Sequence, residues 1–107
     1  MPKFLIQASY TAEGLKGLMH DKASGRKAAV EKAFASVGGK LDSFHFSFGE
    51  YDAVLIVDVP DNTAAASLSF AVTASGLVRT RTTPLLTIEE TDKALEKAVT
   101  YPVPGRG

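Results

Sequence analysis

Two periods of hydrophobic and polar residues alternate along the chain, and each predicts an element. Residues 3–10, rich in Phe, Leu, Ile and Tyr, predict a first strand. Thr11 then caps a helix whose apolar positions Leu15, Leu18 and Met19 are spaced i, i+3, i+4. Gly14 and Gly17 weaken this segment, since a glycine inside a helix costs about 1 kcal/mol relative to alanine. A break is predicted at Ser24-Gly25. Ser24 caps a second helical piece in which Val30, Ala33, Phe34 and Val37 recur at helical spacing. Gly38-Gly39 closes it, because glycine takes the left-handed cap conformation without a steric penalty.

Residues 40–48 alternate strictly. Phe44, Phe46 and Phe48 point to one face, while Ser43, His45 and Ser47 point to the other together with Leu41. Gly49-Glu50 suits a two-residue type II′ turn, and residues 51–59 return as the third strand. With that turn, Phe48, Phe46 and Phe44 lie opposite Tyr51, Ala53 and Leu55, so register and pattern agree. Asp61, after Pro60, caps a helix with Ala65, Leu68 and Val72 along its buried stripe, and Gly76 ends it. Residues 77–86 form the fourth strand. Thr87 and Glu90 form a capping box that opens a last helix over 88–99, with Leu95, Ala98 and Val99 inward.

This order, β-α-β-β-α-β with the first crossover helix split and one helix appended, predicts an α+β domain. Right-handed crossovers make it a ferredoxin-like split βαββαβ fold with a four-stranded antiparallel sheet. Helices on one side leave the other face bare, and that face holds Val54 and Ile56 as well as Leu41. Covering it by a symmetry mate predicts a homodimer or higher homo-oligomer.

Composition narrows the function classes. The length of 107 residues suits one domain over 1–100, followed by a mobile Pro- and Gly-bearing tail at 101–107. The absence of cysteine excludes disulfides, Cys-based zinc sites and a cysteine nucleophile. No stretch approaches the about 20 apolar residues of a membrane span, and the opening apolar run is too short for a signal peptide. A cytoplasmic location without membrane partners is expected. Twelve basic and twelve acidic side chains cancel, so no net field favours nucleic acid. The charges are unevenly spread, with seven Lys/Arg against three acids in 1–40 and five acids without a base in 41–62. A solvated surface accounts for both stretches.

The run from Gly38-Gly39 through Gly49, Glu50, Tyr51 and Asp52, followed by an apolar strand and Pro60-Asp61, resembles the GYD-domain family. The family's Gly, Tyr and Asp are matched by Gly49, Tyr51 and Asp52. Supporting matches are Thr11 with Gly14, Ala64-Ala65-Ala66, the run from Gly76 to Thr80, and Glu89-Glu90, so the likeness extends to about residue 90. It implies a ferredoxin-like protein of the dimeric α/β-barrel type with an uncharacterised role. It brings no established catalytic residues.

The hairpin register supplies the candidate chemistry. Ser47 lies opposite Asp52, and His45 sits two residues along the same strand. A carboxylate beside an imidazole orients it and raises its pKa, so His45 and Asp52 are candidates for a general base or proton shuttle. Arg79 and Arg81, on one face of the fourth strand, offer a positive lining for an anion. The bland alternative is that His45 and Asp52 stabilise the hairpin or a dimer seam while the arginines pair with acids. His20 is the remaining histidine. Its distance from His45 along the chain gives no metal-ligand spacing, and no metal or other cofactor is expected. The three Phe do not make an RNA platform, because the third strand lacks the basic, glycine and aromatic signature and acids flank it. Glycines 14, 17 and 25 lack the lysine of a phosphate loop.

Three function classes follow. One is a dimeric small-molecule binding module with a pocket lined by Tyr10, His45, Tyr51, Asp52 and Arg79. Another is a cofactor-independent isomerase, monooxygenase or lyase using His45 with Asp52. The third is an interaction protein without a pocket.

Overall fold

A computed structural model describes residues 1–106 of the chain. It is an α+β fold in which β1 (Lys3–Tyr10), β2 (Lys40–Phe46), β3 (Ala53–Asp58) and β4 (Val78–Leu85) form one antiparallel sheet. The strand order is β2-β3-β1-β4. The helices are α1 (Ala12–Ala35), α2 (Asn62–Ala74) and α3 (Ile88–Leu95).

The local signals act through their side chains. Thr11 accepts from the Gly14 N–H at 3.2 Å, and Asp61 accepts from the Ala64 N–H at 2.8 Å, each satisfying an otherwise orphaned helix donor. Thr87 and Glu90 complete their reciprocal capping box, with bonds of 3.0 and 2.9 Å. Gly14 has a tertiary reason for being glycine. A Cβ there would run into the Leu77 carbonyl oxygen. That oxygen also accepts from the Thr11 N–H at 2.9 Å and the Thr11 hydroxyl at 3.1 Å, so the start of α1 is pressed against the entry to β4.

The first crossover breaks earlier than the glycine pattern predicts. α1 is interrupted at Lys22, with φ 65° and ψ 168°, rather than at Ser24-Gly25. A positive φ at a residue with a Cβ costs of order 1–3 kcal/mol and persists only where packing on both sides imposes it. The second half of α1 places Phe34 in the core and ends before Gly38, whose φ is +77°.

The hairpin register holds over residues 43–46. Phe46 pairs with Ala53, His45 with Val54, Phe44 with Leu55 and Ser43 with Ile56. It shifts beyond that point, because a bulge between Leu41 and Ser43 brings Leu41 opposite Val57. Leu41 therefore packs against the core instead of sharing the His45 face. The strands also stop short of the expected turn, leaving residues 47–52 as a longer loop in which Phe48 is fully exposed.

The core lies between the sheet and the first two helices. Phe4, Ala8, Ala53, Leu55, Val57 and Val78 supply the sheet side, and Phe34 with half-buried Val30, Leu68 and Val72 supplies the helix side. Successive strand residues point to opposite faces, so Leu5, Val54, Ile56 and Leu85 stand on the other face, where they are only half-buried. At one corner of that face buried Asp58 accepts from Lys3 Nζ at 2.9 Å, and Asp42 accepts from the same nitrogen at 3.0 Å. The two carboxylates, Asp58 foremost, hold the Lys3 ammonium above its ordinary pKa.

The appended helix differs from its expected packing. Leu95, Ala98 and Val99 are exposed rather than turned inward, and so is Ile88. The helix is only eight residues long and follows a strand at the sheet edge, and its chain segment does not fold back over the core. The molecule measures 57 × 32 × 23 Å, with a radius of gyration of 17.2 Å. A compact domain of this length has about 13 Å. Among the described residues, no helix is long and apolar enough to cross a membrane.

Candidate functional site

Between the sheet and the helices lies an apolar cavity of about 180 Å³ that is partly open to solvent. Its origin is legible in side-chain size. Ala8 and Ala53 on the sheet, Ala29 and Ala33 on α1 and Ala65 on α2 all face it. Ala8 and Ala53 are buried and Ala65 half-buried, while Ala29 and Ala33 line its exposed rim, and methyl groups at these positions leave space that larger side chains would close. Apolar walls are completed by Ile6, Phe44 and Leu55, and hydroxyls by Tyr10, Ser69, Thr80 and Thr82. Ser69 and Thr80 approach each other to 3.5 Å, bridging α2 and β4. A second chamber of about 330 Å³ adjoins it, lined by Gly14, Gly17, Leu18, Asp21 and Leu77 and sharing Tyr10 and Arg26 with the first.

Of the five residues read from the sequence as a ligand-binding set, Tyr10 lines this cavity and the other four stand elsewhere. Phe44 faces the cavity, so its neighbour His45 faces the open side of the sheet, where it is exposed. Val78 and Thr80 face the cavity, which turns Arg79 to the same open side, beside Ser9.

The expected pairing of His45 with Asp52 does not form. Asp52 Oδ2 accepts from the Tyr10 N–H at 2.8 Å, while the Asp52 N–H donates to the Ala8 carbonyl at 2.8 Å. Asp52 is thus committed to β1, the strand on the far side of β3 from His45. His45 itself is opposite Val54, two positions from Asp52, a diagonal spacing of about 7–8 Å across a sheet. Ser47 does meet the turn as predicted, its N–H donating to the Asp52 carbonyl at 2.8 Å and its hydroxyl to the Tyr51 carbonyl at 2.6 Å.

Tyr51 reaches over the open side of the sheet. Its hydroxyl accepts from Arg81 Nη1 at 3.5 Å. This bond, with smaller help from Glu50, holds the Arg81 guanidinium above its ordinary pKa. His20 is exposed, its Nδ1 3.1 Å from Asp21 Oδ1. Among the described residues, no three His, Asp or Glu side chains converge as a metal-ligand set.

The residue missed in the sequence is Arg26. It lines the first cavity with Ala29, Val30 and Ala33, a spacing of i, i+3, i+4, i+7 that places all four on one helix face. An arginine at the head of an otherwise apolar stripe was the available signal. Its Nε is buried and has no hydrogen-bond partner among the described residues.

The three residues of the Gly49, Tyr51, Asp52 motif therefore occupy one loop that bonds β1 through Asp52 and β4 through Tyr51. No curated protein and no solved structure gives a significant match to the chain. The model of the GYD domain matches residues 4–95 of the 107, and the chain belongs to the GYD-domain family.

Proposed function

We propose that this GYD-domain protein is a small-molecule binding module that acts as a homodimer on a ferredoxin-like frame. The observation that carries the binding reading is the alanine-walled cavity of about 180 Å³ between the sheet and the two crossover helices. Protein interiors are otherwise close-packed, and an apolar concavity with a few convergent polar groups is the usual form of a ligand site. The ferredoxin-like reading is supported by the strand order, which is 4-1-3-2 when read from β4, and by helices after the first and third strands.

Two uncovered surfaces support the dimer. The open side of the sheet carries half-buried Leu5, Val54, Ile56 and Leu85, and α3 exposes Ile88 and Leu95. Both lose apolar surface to a second copy at about 25 cal/mol per Å². Light scattering should return twice the chain's mass at micromolar concentration, and Ile56→Lys should shift it toward the monomer.

The binding reading is tested with indole, a neutral apolar probe, by saturation-transfer NMR. Indole should receive saturation from the wild-type protein. Ala65→Leu, which fills the cavity with an apolar side chain, should remove the effect while leaving the circular dichroism spectrum intact. Absence of transfer in the wild type would sink the reading.

A further inference from the structure

We infer that the cavity takes a small apolar monocarboxylate, with the carboxylate held by Arg26. This rests on the ligand-binding reading above and adds the chemical class of the ligand.

Arg26 is one turn beyond the kink at Lys22, where the helix of α1 restarts. A cation near the beginning of a helical segment is opposed by the helix dipole, whereas an anion there is favoured. The residue therefore gains nothing locally from its charge. Nor does it gain from a partner, for its buried Nε is unpaired and the ion pairs among the described residues do not include it. A buried guanidinium donor without an acceptor is costly, and a carboxylate is the acceptor whose geometry fits it. Nε–H and an adjacent Nη–H form a parallel fork that matches two carboxylate oxygens.

The charge of the ligand follows from the rest of the wall. Among the described residues, no other charged side chain lines this cavity. Asp21 lines only the adjoining chamber and lies beside His20. A single positive charge among apolar residues balances a monoanion. A phosphate dianion would need further donors of positive charge that the walls do not contain.

Size follows from volume. A cavity of about 150 Å³ lined by apolar side chains accommodates benzene. The cavity here is about 180 Å³, which fits one aromatic ring or short branched chain with a carboxylate at its Arg26 end. The hydroxyls of Ser69, Thr80 and Thr82 are available to a second polar group on the ligand.

The experiment compares phenylacetate with its neutral isostere phenylacetamide by isothermal titration at neutral pH, alongside indole binding. The acid should bind the wild-type protein about tenfold or more tightly than the amide, the usual effect of a hydrogen-bonded charge. Arg26→Gln should abolish that preference, so that acid and amide bind the variant alike. Arg26→Lys, which keeps the charge and loses the fork, should retain only part of it. Equal binding of acid and amide to the wild type, with indole still bound, overturns the carboxylate assignment and leaves the binding reading standing. Failure of all three probes overturns both. The wild-type comparison decides the matter even where Arg26→Gln does not fold.

Discussion

The carboxylate of Asp52 accepts a 2.8 Å hydrogen bond from the backbone N–H of Tyr10, 42 residues away in the chain. Together with the bond from the Asp52 N–H to the Ala8 carbonyl, it fastens the loop between β2 and β3 to the end of β1. Removing the carboxylate leaves a part-buried backbone donor unpaired. Asp52→Ala should destabilise the protein by about 1–3 kcal/mol, measured by urea unfolding. Asp52→Asn keeps an acceptor and should cost less. Amide exchange at Tyr10 should speed up in the alanine variant. An unchanged Tyr10 amide would show that the bond carries no weight.

Gly14 and Gly17 lie three residues apart in α1 and should respond oppositely to alanine. At Gly17 an added Cβ meets nothing within 4 Å, so Gly17→Ala gains helix propensity of about 1 kcal/mol. At Gly14 the Cβ runs into the Leu77 carbonyl. Gly14→Ala must push α1 away from β4 and disturb both Thr11 bonds to that oxygen, so its melting temperature should fall while that of Gly17→Ala rises. Two stabilised variants would contradict the close approach.

Lys22 holds a backbone conformation that suits glycine. Lys22→Gly relieves strain of order 1–3 kcal/mol and gives back part of it as unfolded-chain entropy. A net gain of about 1 kcal/mol follows, visible as a higher midpoint in urea. A loss of stability would place the kink elsewhere.

Glu90 provides a pH-dependent end to α3. Hydrogen bonds from the Thr87 backbone and side chain hold its carboxyl below the ordinary 4.5. Because its pKa is lower folded than unfolded, the stabilisation is complete above 4.5 and is lost as pH falls through the folded value. The Thr87 amide resonance should therefore titrate below pH 4.5, and Glu90→Gln should remove that titration. A midpoint at or above 4.5 would contradict the capping box.

How much of this was legible in the sequence differs from element to element. Thr11, Asp61 and the Thr87–Glu90 box could be read because a cap is satisfied within one helical turn. The pairing of 43–46 with 53–56 could be read because both strands alternate and one face is buried. The bulge at Asp42 could not, and it moved Leu41 from one face to the other. Its setting involves Lys3, which binds both Asp42 and Asp58 from 39 and 55 residues away.

The candidate site shows the same division. His45 and Asp52 are close in the hairpin, but β1 inserts beside β3 and its Tyr10 N–H takes the carboxylate. Arg26 and the five alanines are spread over four elements, and none signals a cavity alone.

By itself, then, the sequence determined the order of the elements, the caps at Thr11, Asp61 and Thr87, the pairing of 43–46 with 53–56 and membership of the GYD family. Those depend on interactions between residues a few positions apart, or on a motif read directly. The tertiary structure decided which backbone donor Asp52 serves, where α1 bends, which apolar faces stay uncovered, and that small side chains and one unpaired arginine meet around a cavity. Each of these depends on the β2-β3-β1-β4 order, which brings distant segments together and lets long-range packing override local preference.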